Sequence, residues 1–425
     1  MPDLGSGGPL AASGLVTTLR PLAAGDHVQW VGWAGLGQAP HRLPARLTDV
    51  ELDPVVARRY YDGYSNATLW PTYHDNVFEP RFEDLWWPAY VSANQEFARR
   101  TAAVAPRGAT VCVNDYHLQL VPRILKDLRP DLRIVFFLHT AVPSRSIFNR
   151  LPTADEILRG IVGADVIGVQ TNAGAEAMAR LFYGSTAKDL DVYAAVSRIR
   201  AVPAQVDFTA ISDEAQSGRT TALAHRVRDL LAPGRRIVLA IERIDPVKGV
   251  EQHLRAYREL IRDGSLDPRR TVLVQVGVPS RRQVPEYQAL SDRVRQSVAE
   301  INAEAGIRTA ILIDRAVAPA TLIALYRAAD VMAVTSLNDG MNLVAKEYVA
   351  ARADGDGSLV LSRFAGAAEE LGDALLVNPF SVSAIKAALL TGFDAPPAER
   401  RRRMSGLREA LAGKSPRTWA DRLLS

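Results

Sequence analysis

Short apolar runs closed by a polar or Gly/Pro turn recur along this chain, and stretches at helical spacing separate them. The first series gives a strand over 110–113, a helix over 119–127, a strand over 133–138, a helix over 157–163 and a strand over 165–170. A second series gives strands over 236–241 and 271–276, then a long helix running through Asn302 and a strand over 310–313. Next come a helix over 320–328, an apolar run over 328–335, a helix over 343–351 and two last strands at 359–361 and 375–379. Strands that are apolar throughout and alternate with helices predict parallel sheets covered on both faces. Ahead of residue 110 the pattern is less regular. A Gly/Ser/Ala-rich opening leads to a helix over 15–22 and a strand over 27–33, followed by an aromatic, polar segment over 58–66. An aromatic helix around Trp86, Trp87 and Tyr90 completes this part, and the aromatics of this region fit plain core and lid packing as well as a functional role. No internal repeat is present.

At 425 residues the chain exceeds one simple core, which predicts two domains. The expected division is a first α/β domain over 1–211, a second over 212–395 with a polar linker at 212–219, and closing helices over 396–425 that pack back on the first. The fold class is therefore α/β, with two Rossmann-like parallel-sheet domains facing a central cleft. In such sheets ligands bind beyond the carboxyl ends of the strands. Asp115, His117 and His139 all fall at such ends. Two-domain glycosyltransferases, periplasmic-type binders and dehydrogenases share this plan. The lack of a Gly-x-Gly-x-x-Gly fingerprint disfavours the last, and the lack of a charged-then-apolar leader disfavours the second.

A formal charge of +4 and a pI near 9.2 are a mild basic bias, suited to a phosphorylated ligand. Arg400–Arg403 reads as a solvated helix face, and no basic tract with interleaved aromatics suggests nucleic acid. The single cysteine, Cys112, excludes an internal disulfide and reads as a small core residue. No apolar stretch approaches a membrane span, and the seven histidines show no metal-ligand spacing. The expectation is a soluble, cytoplasmic protein without metal or cofactor, with assembly into a homo-oligomer left open.

Two segments carry candidate chemistry. Asn338-Asp339-Gly340-Met341-Asn342-Leu343 follows the apolar run, and Asp-Gly is expected to make the turn into the next helix. A strand, a turn and a helix N-terminus together present free N–H groups and a positive dipole end to an anion. Asp339 stands at the turn and Glu347 about two helical turns further on. The same pattern also fits an ordinary capped helix. After the strand over 236–241 comes Glu242-Arg-Ile-Asp-Pro-Val-Lys-Gly249, in which Arg243 and Lys248 flank a Pro turn. Either they converge as a planar fork and a point charge on one diphosphate, or they are two surface cations.

Taken together and in order, WVGW, YYDGYSNATLWPTYHD, NDYHLQLVPRILKDLRPDLRI, FFLH, ERIDPVKG, VPSR, DGMNLVAKEYVAAR, FAGAAEEL and LLVNP resemble the trehalose-6-phosphate synthases, retaining glycosyltransferases of the GT-B fold. The resemblance runs from about Gly14 to the end. It implies that Arg243 and Lys248 hold the donor diphosphate and that Asp339 binds donor-sugar hydroxyls. Gly340, Met341, Asn342 and Leu343 supply backbone contacts, Glu347 binds the ribose, and Gly14 lies in a loop approaching the donor phosphates. His139 matches the histidine near the reacting glucose. Trp33, Tyr61, Asp115 and Arg281 match positions that bind the acceptor glucose 6-phosphate, Tyr61 and Arg281 at its phosphate. The implied partners are a nucleotide sugar, UDP- or GDP-glucose, and a sugar phosphate.

The departures fall mostly on the acceptor side. No strand ending in Asn-Arg precedes the glycine loop, so the expectation is a misassigned start or an altered first sheet. His139-Thr-Ala-Val-Pro143 stands for His-Ile-Pro-Phe-Pro, and Asn114 stands for the first histidine of His-Asp-Tyr-His. Asn338 replaces an arginine, and another arginine near Pro319 is missing. Beside the synthase, two other readings stay open. One is a pseudo-glycosyltransferase with a cyclitol phosphate acceptor, and the other is a non-catalytic nucleotide-sugar-binding paralogue.

Overall fold

The computed structural model describes Leu19 and residues 28–35, 47–281 and 284–425. Gly14 and, Leu19 apart, the helix expected over 15–22 lie outside these residues. The chain forms two compact units, one of Thr17–Ala204 with Pro416–Ser425 and one containing Gln205–Ser415. None of the described helices is long and apolar enough to cross a membrane.

In the N-terminal unit, β1 (Trp30–Gly32) pairs in parallel with β2 (Leu47–Asp49). A parallel sheet then runs in chain order through β3 (Thr110–Asn114), β4 (Arg133–Phe137), β5 (Val166–Val169) and β6 (Ile199–Ala201). Register places Val113 beside Phe136 and Phe136 beside Ile167, which is why these strands carry apolar side chains on both faces. The aromatic segment turns π-helical over Arg59–Leu69, and most of its residues are buried. Gly63 is required there, since a Cβ would meet the Trp86 ring at 2.7 Å. The last helix, Pro416–Leu424, closes this unit, with Trp419 buried and donating from its indole N–H to the Val202 carbonyl at 3.1 Å.

The C-terminal unit is a six-stranded parallel sheet of order β12-β11-β10-β7-β8-β9. Its strands are β7 (Arg236–Ile244), β8 (Thr271–Pro279), β9 (Ala310–Ile313), β10 (Val331–Val334), β11 (Ser358–Ser362) and β12 (Leu375–Val377). Val238, Leu273, Val331 and Val360 pack in one buried core with Leu254, Tyr257, Leu290 and Leu389 from the covering helices. Sheet order reverses between β7 and β10, and their carboxyl ends form the topological switch point where such sheets bind ligands.

Two boundaries differ from expectation. Residues 212–219 are no linker: they span the end of one helix, Phe208–Gln216, and the start of another, Gly218–Leu231. The break is a cap, with Ser217 Oγ accepting from Thr220 N at 3.1 Å. The first of these helices buries Ser212 and Ala215, and Arg408 donates to Ser212 Oγ at 3.0 Å, so this segment already belongs to the C-terminal unit. Likewise Pro397–Leu411 stays with the C-terminal unit, where Arg408 donates to the carbonyls of Val349 and Ala350 at 3.1 and 2.8 Å. Only Pro416–Ser425 joins the N-terminal one.

Candidate active site

At the switch point the two candidate segments meet. Lys248 ends a 3₁₀ turn, Pro246–Lys248, that follows β7, and its ammonium donates to Asp339 Oδ2 at 2.5 Å from beside β10. Both groups remain partly accessible, at 16% and 12% of their side-chain surface. Asp339 also accepts from Asn342 Nδ2 at 3.0 Å and from the Ser336 hydroxyl at 3.2 Å. Its backbone is held by Phe364 and Gly366, where Asp339 N donates to Phe364 O at 3.1 Å and Gly366 N to Asp339 O at 3.0 Å. The Met341 carbonyl likewise accepts from Ala367 N at 2.7 Å.

The left-handed residue of this turn is Asn342 (φ 74°), not Gly340 of the expected Asp-Gly turn. Asparagine tolerates that conformation, and here its side chain also caps the helix Leu343–Ala351 by accepting from Ala345 N at 3.2 Å. Glu347 lies on that helix and accepts from the Tyr326 hydroxyl at 2.7 Å. Burial raises its carboxyl to about 7.

Arg243 lies within β7, paired with Val278, and its guanidinium comes to 3.7 Å from Asp245 Oδ2. The same oxygen accepts from Arg281 Nη1 at 3.0 Å and from the Tyr287 hydroxyl at 3.3 Å, while Oδ1 accepts from Val247 N at 3.3 Å. Asp245 is fully buried, so one carboxylate orients two arginines and caps the turn that ends in Lys248. Sequence reasoning passed over it. The signal was an acid inside ERIDPVKG, between the two cations that drew attention. Arg281, expected at the acceptor phosphate, belongs to this cluster in the C-terminal unit, while Trp33, Tyr61 and Asp115 lie in the other.

In the N-terminal unit, Trp33 stands edge-on to Tyr61 with ring centroids 5.5 Å apart, and Tyr61 stacks on His117 at 5.5 Å and 12°. Asp115 follows β3 with φ 74°, a left-handed backbone for a non-glycine. Its N–H donates to Phe137 O at 2.7 Å, and its Oδ1 accepts from His139 N at 3.1 Å. Those two bonds join the tips of β3 and β4. Burial lowers the His139 imidazole to about 3, so it is neutral. Asn114 Oδ1 lies 3.0 Å from its Nε2 while Asn114 Nδ2 donates to Cys112 O at 3.2 Å, which assigns the ring proton to Nε2. The asparagine that departs from the family pattern thus orients His139.

Comparison with known proteins gives one consistent result. The family model "Glycosyltransferase family 20" matches residues 9–425. A trehalose-6-phosphate synthase of Mycolicibacterium vanbaalenii is 39% identical, over 97% of this chain and 89% of that one. One from Mycobacterium avium is also 39% identical, over 100% of this chain and 91% of its own. Among solved structures, a UDP-forming alpha,alpha-trehalose-phosphate synthase from Burkholderia xenovorans, in complex with glucose-6-phosphate, superposes with a TM-score of 0.90. It is 28% identical and covers 98% of this chain and 96% of that one. An E. coli structure bound with UDP-2-fluoro glucose gives 0.86 at 27% identity, over 99% and 96% of the two chains.

Proposed function

The chain belongs to glycosyltransferase family 20, with the GT-B fold of its solved relatives, and from that premise we propose that it transfers glucose from UDP-glucose to glucose 6-phosphate with retention, yielding α,α-trehalose 6-phosphate. The observation that carries this is the pairing of Lys248 with Asp339 at the switch point, with Arg243 on the same strand end. A diphosphate takes over the ammonium as the sugar hydroxyls take over the carboxylate, so the cation and anion that hold each other here serve the two halves of one donor. Arg243 adds a planar fork, and Arg281, held by the same Asp245, takes the phosphate of the acceptor together with Tyr61. Glu347 accepts from the ribose hydroxyls, and residues 340–343 supply main-chain contacts. Gly14, outside the described residues, keeps its expected place in the donor-phosphate loop. Trp33, Tyr61 and Asp115 bind the acceptor, and His139 stands by the reacting sugar.

In the transfer, the bond from glucose C1 to the diphosphate oxygen breaks with its electron pair leaving on UDP. The acceptor hydroxyl oxygen bonds to C1 on the same face, and its proton passes to a diphosphate oxygen. No protein nucleophile enters. Charge developing on the diphosphate is met by Arg243 and Lys248, donors placed before the reaction begins. The test is UDP release followed with both substrates, with each alone, and with a panel of sugar and cyclitol phosphates, products weighed by mass spectrometry. Repeated turnover to a disaccharide phosphate only when UDP-glucose and glucose 6-phosphate are both present is expected. Turnover only with a cyclitol phosphate, or nucleotide binding without turnover, would replace the proposal.

A further inference from the structure

Behind the diphosphate turn runs a chain of buried polar groups for which the transfer itself has no use. Gln275 on β8 donates from Nε2 to the Glu242 carboxyl on β7, and its Oε1 lies 2.6 Å from His253 Nε2. His253 Nδ1 lies 2.8 Å from Thr335 Oγ1, and the Thr335 hydroxyl donates to the Gly249 carbonyl at 2.9 Å. His253 and Gln275 are wholly buried and Thr335 is 1% exposed. The chain ends on the residue after Lys248. Gly249 has φ +67°, and a Cβ there would lie 2.0 Å from the Thr335 carbonyl oxygen, so turn and β10 tip are in backbone contact.

Counting protons constrains this chain. The Thr335 proton is committed to Gly249, so Thr335 Oγ1 accepts from His253 Nδ1–H. If His253 Nε2–H then donates to Gln275, the ring is a cation and Glu242 a carboxylate. If the Gln275 amide is turned over from this orientation, giving up the bond from its Nε2 to the Val276 carbonyl at 3.2 Å, a Glu242 carboxyl donates to it, the amide N–H donates to His253 Nε2, and both end groups are neutral. Either way the chain holds a single mobile proton and is continuous from Glu242 to Gly249. Burial favours the neutral form, raising the Glu242 carboxyl to about 8 and lowering the His253 imidazole to about 4. A neutral Glu242 leaves the field of neighbouring Arg243 and Lys248 undiminished at the donor.

We propose that Glu242, Gln275, His253 and Thr335 are positioning residues whose hydrogen-bond chain fixes the Gly249 carbonyl and thereby aims Lys248 and Arg243. This rests on those two cations taking the donor diphosphate. The decisive variant is Thr335→Val, which keeps the shape and removes the hydroxyl, with Thr335→Ser as the restoring change. In T335V the KM for UDP-glucose rises roughly tenfold, the scale of one buried hydrogen bond lost with its partners left unpaired, while the KM for glucose 6-phosphate stays put. T335S returns the donor KM to near the wild-type value. Amide exchange of residues 247–250 accelerates in T335V and not in T335S. Should T335V fail to fold, Gln275→Leu breaks the chain at another point and is read the same way. An unchanged donor KM, an equal rise in both KM values, or no restoration by serine overturns the relay. Arg243→Ala separates the two levels. If it leaves donor use untouched, the diphosphate assignment falls and the relay with it. If it cripples donor use while T335V is silent, the relay alone falls.

Discussion

Replacing Asp245 with asparagine tests the charge architecture of the donor side most directly. The carboxylate is fully buried and holds Arg281 at 3.0 Å, the Tyr287 hydroxyl at 3.3 Å and Val247 N at 3.3 Å, with Arg243 at 3.7 Å. Asparagine is nearly isosteric, so packing barely changes. It keeps one acceptor oxygen for Val247 and turns an NH₂ towards groups that are themselves donors. The charged bond to Arg281 is worth about 1.5–3 kcal/mol. Removing one partner of a buried ion pair costs about 3–5 kcal/mol. Arg281 is only 10% exposed and feels most of that, whereas Arg243, at 27%, is better solvated and contributes less. A net loss of about 3 kcal/mol follows, which for a unit of this size lowers Tm by about 6–12 °C. Scanning calorimetry reads the stability, and UDP release read in parallel is expected to show a fall in kcat/KM for UDP-glucose as both guanidiniums lose their anchor. A D245N protein with wild-type Tm and donor kinetics would refute the reasoning, because it would mean that the arginines are held by something other than this carboxylate.

Other outcomes follow from the same structure. Arg243→Ala should reduce kcat/KM by the equivalent of about 2–4 kcal/mol, the cost of removing one preorganised donor, or about 30- to 1000-fold in steady-state assays. Lysine should restore part of this, since it returns the charge without the fork. Glu347, raised to about 7 by burial, is protonated below that pH, and in the ribose-binding role proposed for it a protonated carboxyl would accept hydroxyls poorly. UDP affinity measured by calorimetry should therefore strengthen as pH rises from 6 to 8, and Glu347→Gln should flatten that rise. The same raised pKa means the native state holds a proton that the unfolded chain gives up, so this group's contribution to stability declines as pH climbs from the ordinary glutamate range to about 7. Lys346 is wholly buried on Glu370, which Lys414 also engages at 2.6 Å. Lys346→Met should lose about 1–3 kcal/mol in denaturant unfolding, less than a buried pair broken outright, because Lys414 still neutralises the acid.

Much of the fold was legible along the chain. The strand at 310–313 and the helix at 343–351 fall where the apolar pattern put them, because turn formers bound a short hydrophobic run in one case and cap an uninterrupted helix in the other. The strand over 236–241 runs on to Ile244. Pattern reading stops at the first charges, yet Glu242 and Arg243 still pair with Gly277 and Val278 as strand. The unit boundary was misplaced for a related reason. A polar stretch at 212–219 looks like a linker until Ser217 is seen to cap one of two helices that pack on the C-terminal sheet's coverings.

The sequence by itself determined which segments become strands and helices, the residue types at each strand tip, and the motifs that identify the family. All of these are carried by local periodicity, turn chemistry and short-range order. Only the tertiary structure decided that Lys248 meets Asp339, that Asp245 holds two arginines, and that Glu242, Gln275, His253 and Thr335 join in one chain. Apart from Arg243 and Asp245, which share one motif, those partners lie far apart in sequence. They are adjacent because β10 inserts beside β7 while β8 flanks its other edge, and that pairing is selected by the packing of the whole sheet and its helices, a property no local window contains.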